Sequence, residues 1–181
     1  MAEIFGKPLV TQEVMRARIR ELGMQISKDY QGKDLVVVGV LKGAYVFFAD
    51  LVRVIQLPIQ IDFLIAKGTK KVGRPPKTIK VWTALTEKIE ERHVLLVEDI
   101  VDSGLTAQFL VSQLQKLKPA SVAICTLLSK PANRKIEIEV QYVGFEVAPS
   151  YIVGYGLDFK QKYRNLPYLA QMNPERIQEG P

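Results

Sequence analysis

The sequence holds a single cysteine, Cys125, set in the apolar run Val122-Ala123-Ile124-Cys125-Thr126-Leu127-Leu128. An intrachain disulfide and a metal–thiolate cluster are thereby excluded, and a reducing compartment fits best. No apolar run approaches the length that spans a bilayer, and the opening Met1-Ala2-Glu3-Ile4-Phe5-Gly6-Lys7 lacks a basic segment followed by a long apolar stretch. A cytoplasmic location without a membrane partner is expected. Histidine also occurs once: His93 stands at the start of a strand and is assigned no catalytic role, while the one tryptophan, Trp82, reads as packing. Two nucleotide loops are missing too. Neither G-x-x-x-x-G-K followed by Ser or Thr nor G-x-G-x-x-G is found, which argues against ATP on a P-loop and NAD on a dinucleotide fold.

What is present suits a soluble globular protein. Hydrophobic residues make up 48% and charged residues 24%, away from the profile of disordered chains. The 181 residues fit one domain, 1–181, large enough to bury a core of its own. A net charge of +6 leaves three readings open: a nucleic-acid surface, a pocket for a small polyanion such as pyrophosphate, or a solvated basic surface with no role.

The pattern along the chain alternates strand and helix. Met15, Ile19, Leu22 and Ile26 recur at helical spacing within 11–30, opened by Thr11. Residues 35–40 form a β-branched strand, followed by the loop Leu41-Lys42-Gly43-Ala44 and a helical pattern over 45–55. A second strand covers 59–66. The basic, Gly- and Pro-rich stretch 67–77 has no hydrophobic period and reads as a mobile loop, after which 79–82 re-enters the sheet edge. The strongest strand, 94–98, leads to a helix starting near Gly104 that Phe109, Leu110, Leu114 and Leu117 carry to Pro119. Further strands are expected at 121–128, 141–146 and 151–154, with an irregular tail from Pro167. The alternation predicts an α/β fold around a mainly parallel sheet flanked by helices.

In such sheets ligands bind beyond the carboxyl ends of the strands, where Glu98-Asp99-Ile100-Val101-Asp102-Ser103-Gly104-Leu105-Thr106 lies. Ser103, Gly104 and Thr106 offer hydroxyls and an open backbone at a helix N-terminus, a setting that favours phosphate. Three carboxylates beside a phosphate would repel it unless they hold hydroxyls, a metal or a proton. Helix capping accounts for Asp102 and Ser103 but not for two adjacent acids after four apolar residues.

An apolar strand followed by Glu98-Asp99 and then Asp102-Ser103-Gly104-Leu105-Thr106 resembles the phosphoribosyl pyrophosphate signature of the type I phosphoribosyltransferases. Val40-Leu41-Lys42-Gly43-Ala44-Tyr45, Leu127-Leu128-Ser129-Lys130-Pro131, and Tyr151-Ile152-Val153-Gly154-Tyr155-Gly156-Leu157-Asp158 followed by Arg164 resemble its hypoxanthine-guanine branch in order and spacing. The resemblance implies that family's fold, with a small hood made by the terminal segments, and an assembly of two or four copies. It also implies transfer of the phosphoribosyl group to a 6-oxopurine with the help of Mg2+.

The same resemblance distributes roles. Glu98 and Asp99 receive the ribose hydroxyls, and Ser103, Gly104, Leu105 and Thr106 wrap the 5-phosphate. Lys42 and Gly43 sit at the pyrophosphate in a loop that the family holds with a non-proline cis peptide. Arg164 helps the leaving group. Asp102 takes the imidazole proton of the incoming base, help typically worth about 10²–10⁴-fold. Lys130 donates to the oxygen at purine position 6, Tyr151 stacks on the base and the Ile152 backbone reads its edge. Asp158 borders the purine and carries the magnesium, with Glu98 and Asp99 as further metal candidates. Plainer readings stand beside these: a Lys-Gly turn, a surface lysine before proline, a core tyrosine and a turn aspartate.

One stretch departs from the family, whose mobile loop usually carries a Ser-Tyr pair; here it reads Ala66-Lys67-Gly68-Thr69-Lys70-Lys71. Two other functions remain in view: a regulator of this fold that binds RNA or DNA, and a xanthine-preferring transferase. Nucleic acid is the less expected partner, because residues suited to base, metal and leaving group are all present.

Overall fold

Val/Leu-rich strands alternate with amphipathic helices in the computed structural model, which describes residues 5–68, 79–81 and 85–178. In chain order the described elements are β1 (Phe5–Val10), α1 (Gln12–Asp29), β2 (Leu35–Leu41), α2 (Tyr45–Val52), β3 (Gln60–Gly68), β4 (Ile79–Val81) and β5 (His93–Val101). They continue as α3 (Leu105–Gln115), β6 (Ser121–Ser129), a 3-10 turn (Pro131–Asn133), β7 (Tyr142–Glu146), β8 (Ile152–Val153), β9 (Leu169–Met172) and α4 (Pro174–Gln178).

Thr11 caps α1 as its sequence predicts, accepting from the Val14 N–H at 3.4 Å, and Met15, Ile19, Leu22 and Ile26 form the buried stripe. The main sheet has the order β4-β3-β2-β5-β6-β7. Its strands pair in parallel except β4, which runs antiparallel along β3 at the edge. Strands buried on both faces need apolar side chains at every position, and β2 and β5 supply them. Val37, Leu95 and Val97 face α1 and α2; their neighbours Val36, Val38 and Leu96 face Leu110 and Leu114 of α3. The parallel strands point their carboxyl ends toward one edge.

Several expectations are corrected. β5 does not stop at Glu98: it continues to Val101, paired with β6 through Ile100↔Leu128 and Val101↔Ser129, so Glu98 and Asp99 lie within the strand. The helical pattern over 45–55 ends at Val52, and the helix expected to reach Pro119 ends at Gln115. The tail from Pro167 is not irregular. Leu169–Met172 is the centre of a three-stranded antiparallel sheet, β1-β9-β8, followed by α4. Its partner β1 comes from the other end of the sequence, so no local period announces it. This small sheet is the hood of terminal segments. From residue 69 onward the loop expected over 67–77 lies outside the described residues, as does Trp82.

Candidate active site at the carboxyl edge of the sheet

The turn from β5 to α3 presents backbone. Gly104 caps the helix at φ +85 with no side-chain cap, and the first helical bond runs from the Gln108 N–H to the Gly104 carbonyl at 2.9 Å. The N–H groups before Gln108 therefore have no intrahelical acceptor, and the positive end of the helix dipole adds to them. The first turn of α3 carries no acidic side chain. A Cβ on Gly104 would lie 3.0 Å from Ile138 and 3.1 Å from Ile136, so 136–138 packs directly under the turn. The Lys135 N–H holds the Ser103 carbonyl at 3.0 Å. Ser103, Leu105 and Thr106 are half-buried around an opening suited to an anion.

Beside the turn, side chains take over. Asn133 Nδ2 donates to Asp102 Oδ1 at 2.7 Å. The Arg134 guanidinium donates to the carbonyls of Val101 at 2.6 Å and Asp102 at 2.8 Å, and to Ser129 Oγ at 3.0 Å. Burial lowers the Arg134 pKa, opposed by the charges of Asp102 and Glu146. Lys130 is no surface lysine: it is 7% exposed, and its Nζ donates to the Ser150 carbonyl at 2.7 Å. That bond ties the end of β6 to the residue preceding Tyr151.

On the other flank two loops meet at glycines beside Asp99 of β5. A Cβ on Gly43 would come within 1.7 Å of Asp99 Oδ2, and one on Gly156 within 2.1 Å of the Gly43 carbonyl. No other residue fits either contact unchanged. The non-proline cis peptide expected in this loop joins Leu41 to Lys42. Lys42 is exposed. Arg164 donates to the Gly156 carbonyl at 2.7 Å and pairs with Asp158 Oδ1 at 2.8 Å, while the Gln161 N–H holds Asp158 Oδ2 at 2.8 Å. Tyr151 is 41% exposed rather than a core aromatic. Its ring meets Phe159 edge-on at 5.5 Å and its hydroxyl donates to the Asp158 carbonyl. Burial raises the Tyr151 pKa, and the Asp158 charge adds to the effect. Ile152 is buried, with its backbone paired to Gln171.

Glu98 differs from the other acids. It is 5% exposed, and burial, reinforced by the charge of Asp99, holds its carboxyl well above the ordinary range. Among the described residues no three His, Cys, Asp or Glu side chains converge as a metal cage, so Glu98 and Asp99 are not gathered with Asp158 into one. His93 lies at the opposite end of β5, its Nδ1 sharing a hydrogen bond with Ser121 Oγ at 2.7 Å, away from this edge. Sequence reasoning missed Asn133, Arg134 and Gly156. Lys130-Pro131-Ala132-Asn133-Arg134 offers a turn but nothing to show that it folds back onto Asp102. Gly156 lay inside a motif already noted, without its contact.

The phosphoribosyl transferase domain model matches residues 9–160. Hypoxanthine phosphoribosyltransferase of Haemophilus influenzae is 42% identical over 167 residues, covering 91% of this chain and 93% of that protein. The bifunctional protein TilS/HprT of Listeria monocytogenes is 41% identical over 177 residues, or 96% of this chain, which spans 27% of that relative's length. A solved hypoxanthine phosphoribosyltransferase from Staphylococcus aureus superposes with a TM-score of 0.90 at 40% identity, over 95% of this chain and 94% of that one.

Proposed function

The chain belongs to the phosphoribosyltransferase family, and from that membership we propose that it transfers the 5-phosphoribosyl group of phosphoribosyl pyrophosphate to a 6-oxopurine. Hypoxanthine and guanine are the acceptors, and IMP or GMP and pyrophosphate leave. The observation that carries this reading is the buried Lys130, whose ammonium sits against the carbonyl preceding Tyr151. An ammonium beside the residue that precedes the exposed Tyr151, at the carboxyl edge of the sheet, suits a donor for the oxygen at purine position 6.

The free N–H groups before Gln108 and the Ser103 and Thr106 hydroxyls bind the 5-phosphate. Glu98 and Asp99 receive the ribose hydroxyls. Lys42, Gly43 and Arg164 receive the pyrophosphate. As the imidazole nitrogen of the base attacks the anomeric carbon, positive charge gathers on the sugar and negative charge on the leaving group, so fixed cations and donors lower the barrier. Asp102 takes the proton of the attacking nitrogen, Tyr151 stacks on the ring and Ile152 reads its edge.

Asp158 suits a magnesium ion, which takes few protein oxygens and shares the rest with substrate and water: it is a hard carboxylate, half-buried and oriented by Arg164 and Gln161. Glu98 and Asp99 are further oxygen ligands. Bound Mg2+ would neutralise charge on the departing pyrophosphate. The protein acts in the cytoplasm as a homodimer or homotetramer. Spectroscopic assays with phosphoribosyl pyrophosphate and hypoxanthine, guanine or xanthine test the reading. Turnover of hypoxanthine or guanine is expected; turnover of xanthine alone would move the acceptor, and none with any base would overturn the proposal.

A further inference from the structure

Asp102 is exposed, yet its carboxylate is not left to rotate, because Asn133 Nδ2 holds Oδ1 at 2.7 Å. Beneath it Arg134 spans the Val101 and Asp102 carbonyls and Ser129 Oγ, so the backbone carrying the acid is fixed from the same turn. We infer that Asn133 is a positioning residue for the transfer: its amide occupies Oδ1 and thereby turns Oδ2 toward the incoming base. The inference rests on the reading of Asp102 as proton acceptor.

In the step it serves, the N–H bond of the purine imidazole breaks and its proton passes to Oδ2. The nitrogen's electron pair forms the bond to the anomeric carbon, and pyrophosphate departs with the electrons of the broken C–O bond. An acceptor held in one orientation loses no time to rotamers that face away. The other charged groups around Asp102 are Arg134 and the backbone-anchored Lys130 and Lys135 of the neighbouring turn, Glu146 of β7 acting on Arg134, and Glu98 and Asp99 on the strand that precedes it. Asn133 supplies the hydrogen bond to its carboxylate.

The test compares the full chain with Asn133→Asp, Asn133→Ala and Asp102→Asn. Asn133→Asp keeps the shape but replaces the donor by an acceptor. Its kcat should fall about tenfold, the loss expected for a hydrogen bond to a charged group, with KM for phosphoribosyl pyrophosphate unchanged. Asn133→Ala, which admits water, should lower kcat by less, again with KM for phosphoribosyl pyrophosphate unchanged, and it decides the matter if Asn133→Asp fails to fold. Unaltered kcat in both variants, alongside an inactive Asp102→Asn, would overturn the inference alone. An Asp102→Asn protein with full kcat would overturn the proton-acceptor reading with it.

Discussion

Ser103, Gly104 and the first turn of α3 bring backbone N–H groups to the site from one contiguous stretch. Asp102, Lys130 and Tyr151 reach the same edge from three stretches, joined by Asn133, Arg134 and the Ser150 carbonyl. The first half is made of the helix terminus itself and the hydroxyls of the same turn. The second exists only while long-range hydrogen bonds hold. The difference teaches where each half is vulnerable: the helix terminus to changes in backbone approach, the side-chain half to loss of a tether.

The largest effect is expected at the glycine joint. A Cβ on residue 43 would displace the Asp99 carboxylate, whose Oδ1 also holds the Ile100 N–H at 3.0 Å. Gly43→Ala should therefore lower kcat/KM by about 10²-fold, the scale of an ångström-level misplacement, measurable in steady-state assays. An Ala variant with parental kinetics would show that the loops do not need this approach.

Next comes the tether. Arg134→Leu removes donors from three acceptors at a half-buried position, of which the Val101 carbonyl retains the Lys130 N–H. A loss of about 2 kcal/mol is expected, or roughly 4–8 °C in Tm for a chain of this size. KM for the base should rise more than KM for phosphoribosyl pyrophosphate; an equal rise in both would erase the distinction between the halves.

The smallest effect has the opposite sign. Because the folded-state pKa of Glu98 is raised above its ordinary 4.5, the folded protein keeps a proton that the unfolded chain gives up. Between those two values Glu98 makes folding less favourable as pH increases; below the lower value it contributes no difference. Glu98→Gln should accordingly match the parent at the acid end and exceed it at pH 8, by about 2–4 °C in Tm. A gap that narrows as pH rises would contradict the burial argument. Binding of phosphoribosyl pyrophosphate should weaken in the same variant.

Legibility in the sequence follows the same division. The stripe of Met15, Ile19, Leu22 and Ile26 and the runs of β2 and β5 are local patterns, and the structure reproduces them. So is the small, hydroxyl-rich turn 103–106. β9 was not legible, because four residues of mixed character become a strand only against β1 at the far end of the sequence. Asn133 and Arg134 were missed for the same reason: they act on residues about thirty positions away. The end of β5 was misjudged because acids normally mark a strand's exit into solvent, whereas pairing with β6 keeps Glu98 buried inside it.

The division of the site is tested most directly by Asp102→Asn, with kcat measured beside the affinity for phosphoribosyl pyrophosphate. The substitution leaves the helix terminus in place and removes the carboxylate proposed to accept the proton. A fall in kcat of about 10²–10⁴-fold with unchanged affinity is predicted. Equal losses in both quantities, or no loss in kcat, would contradict the account.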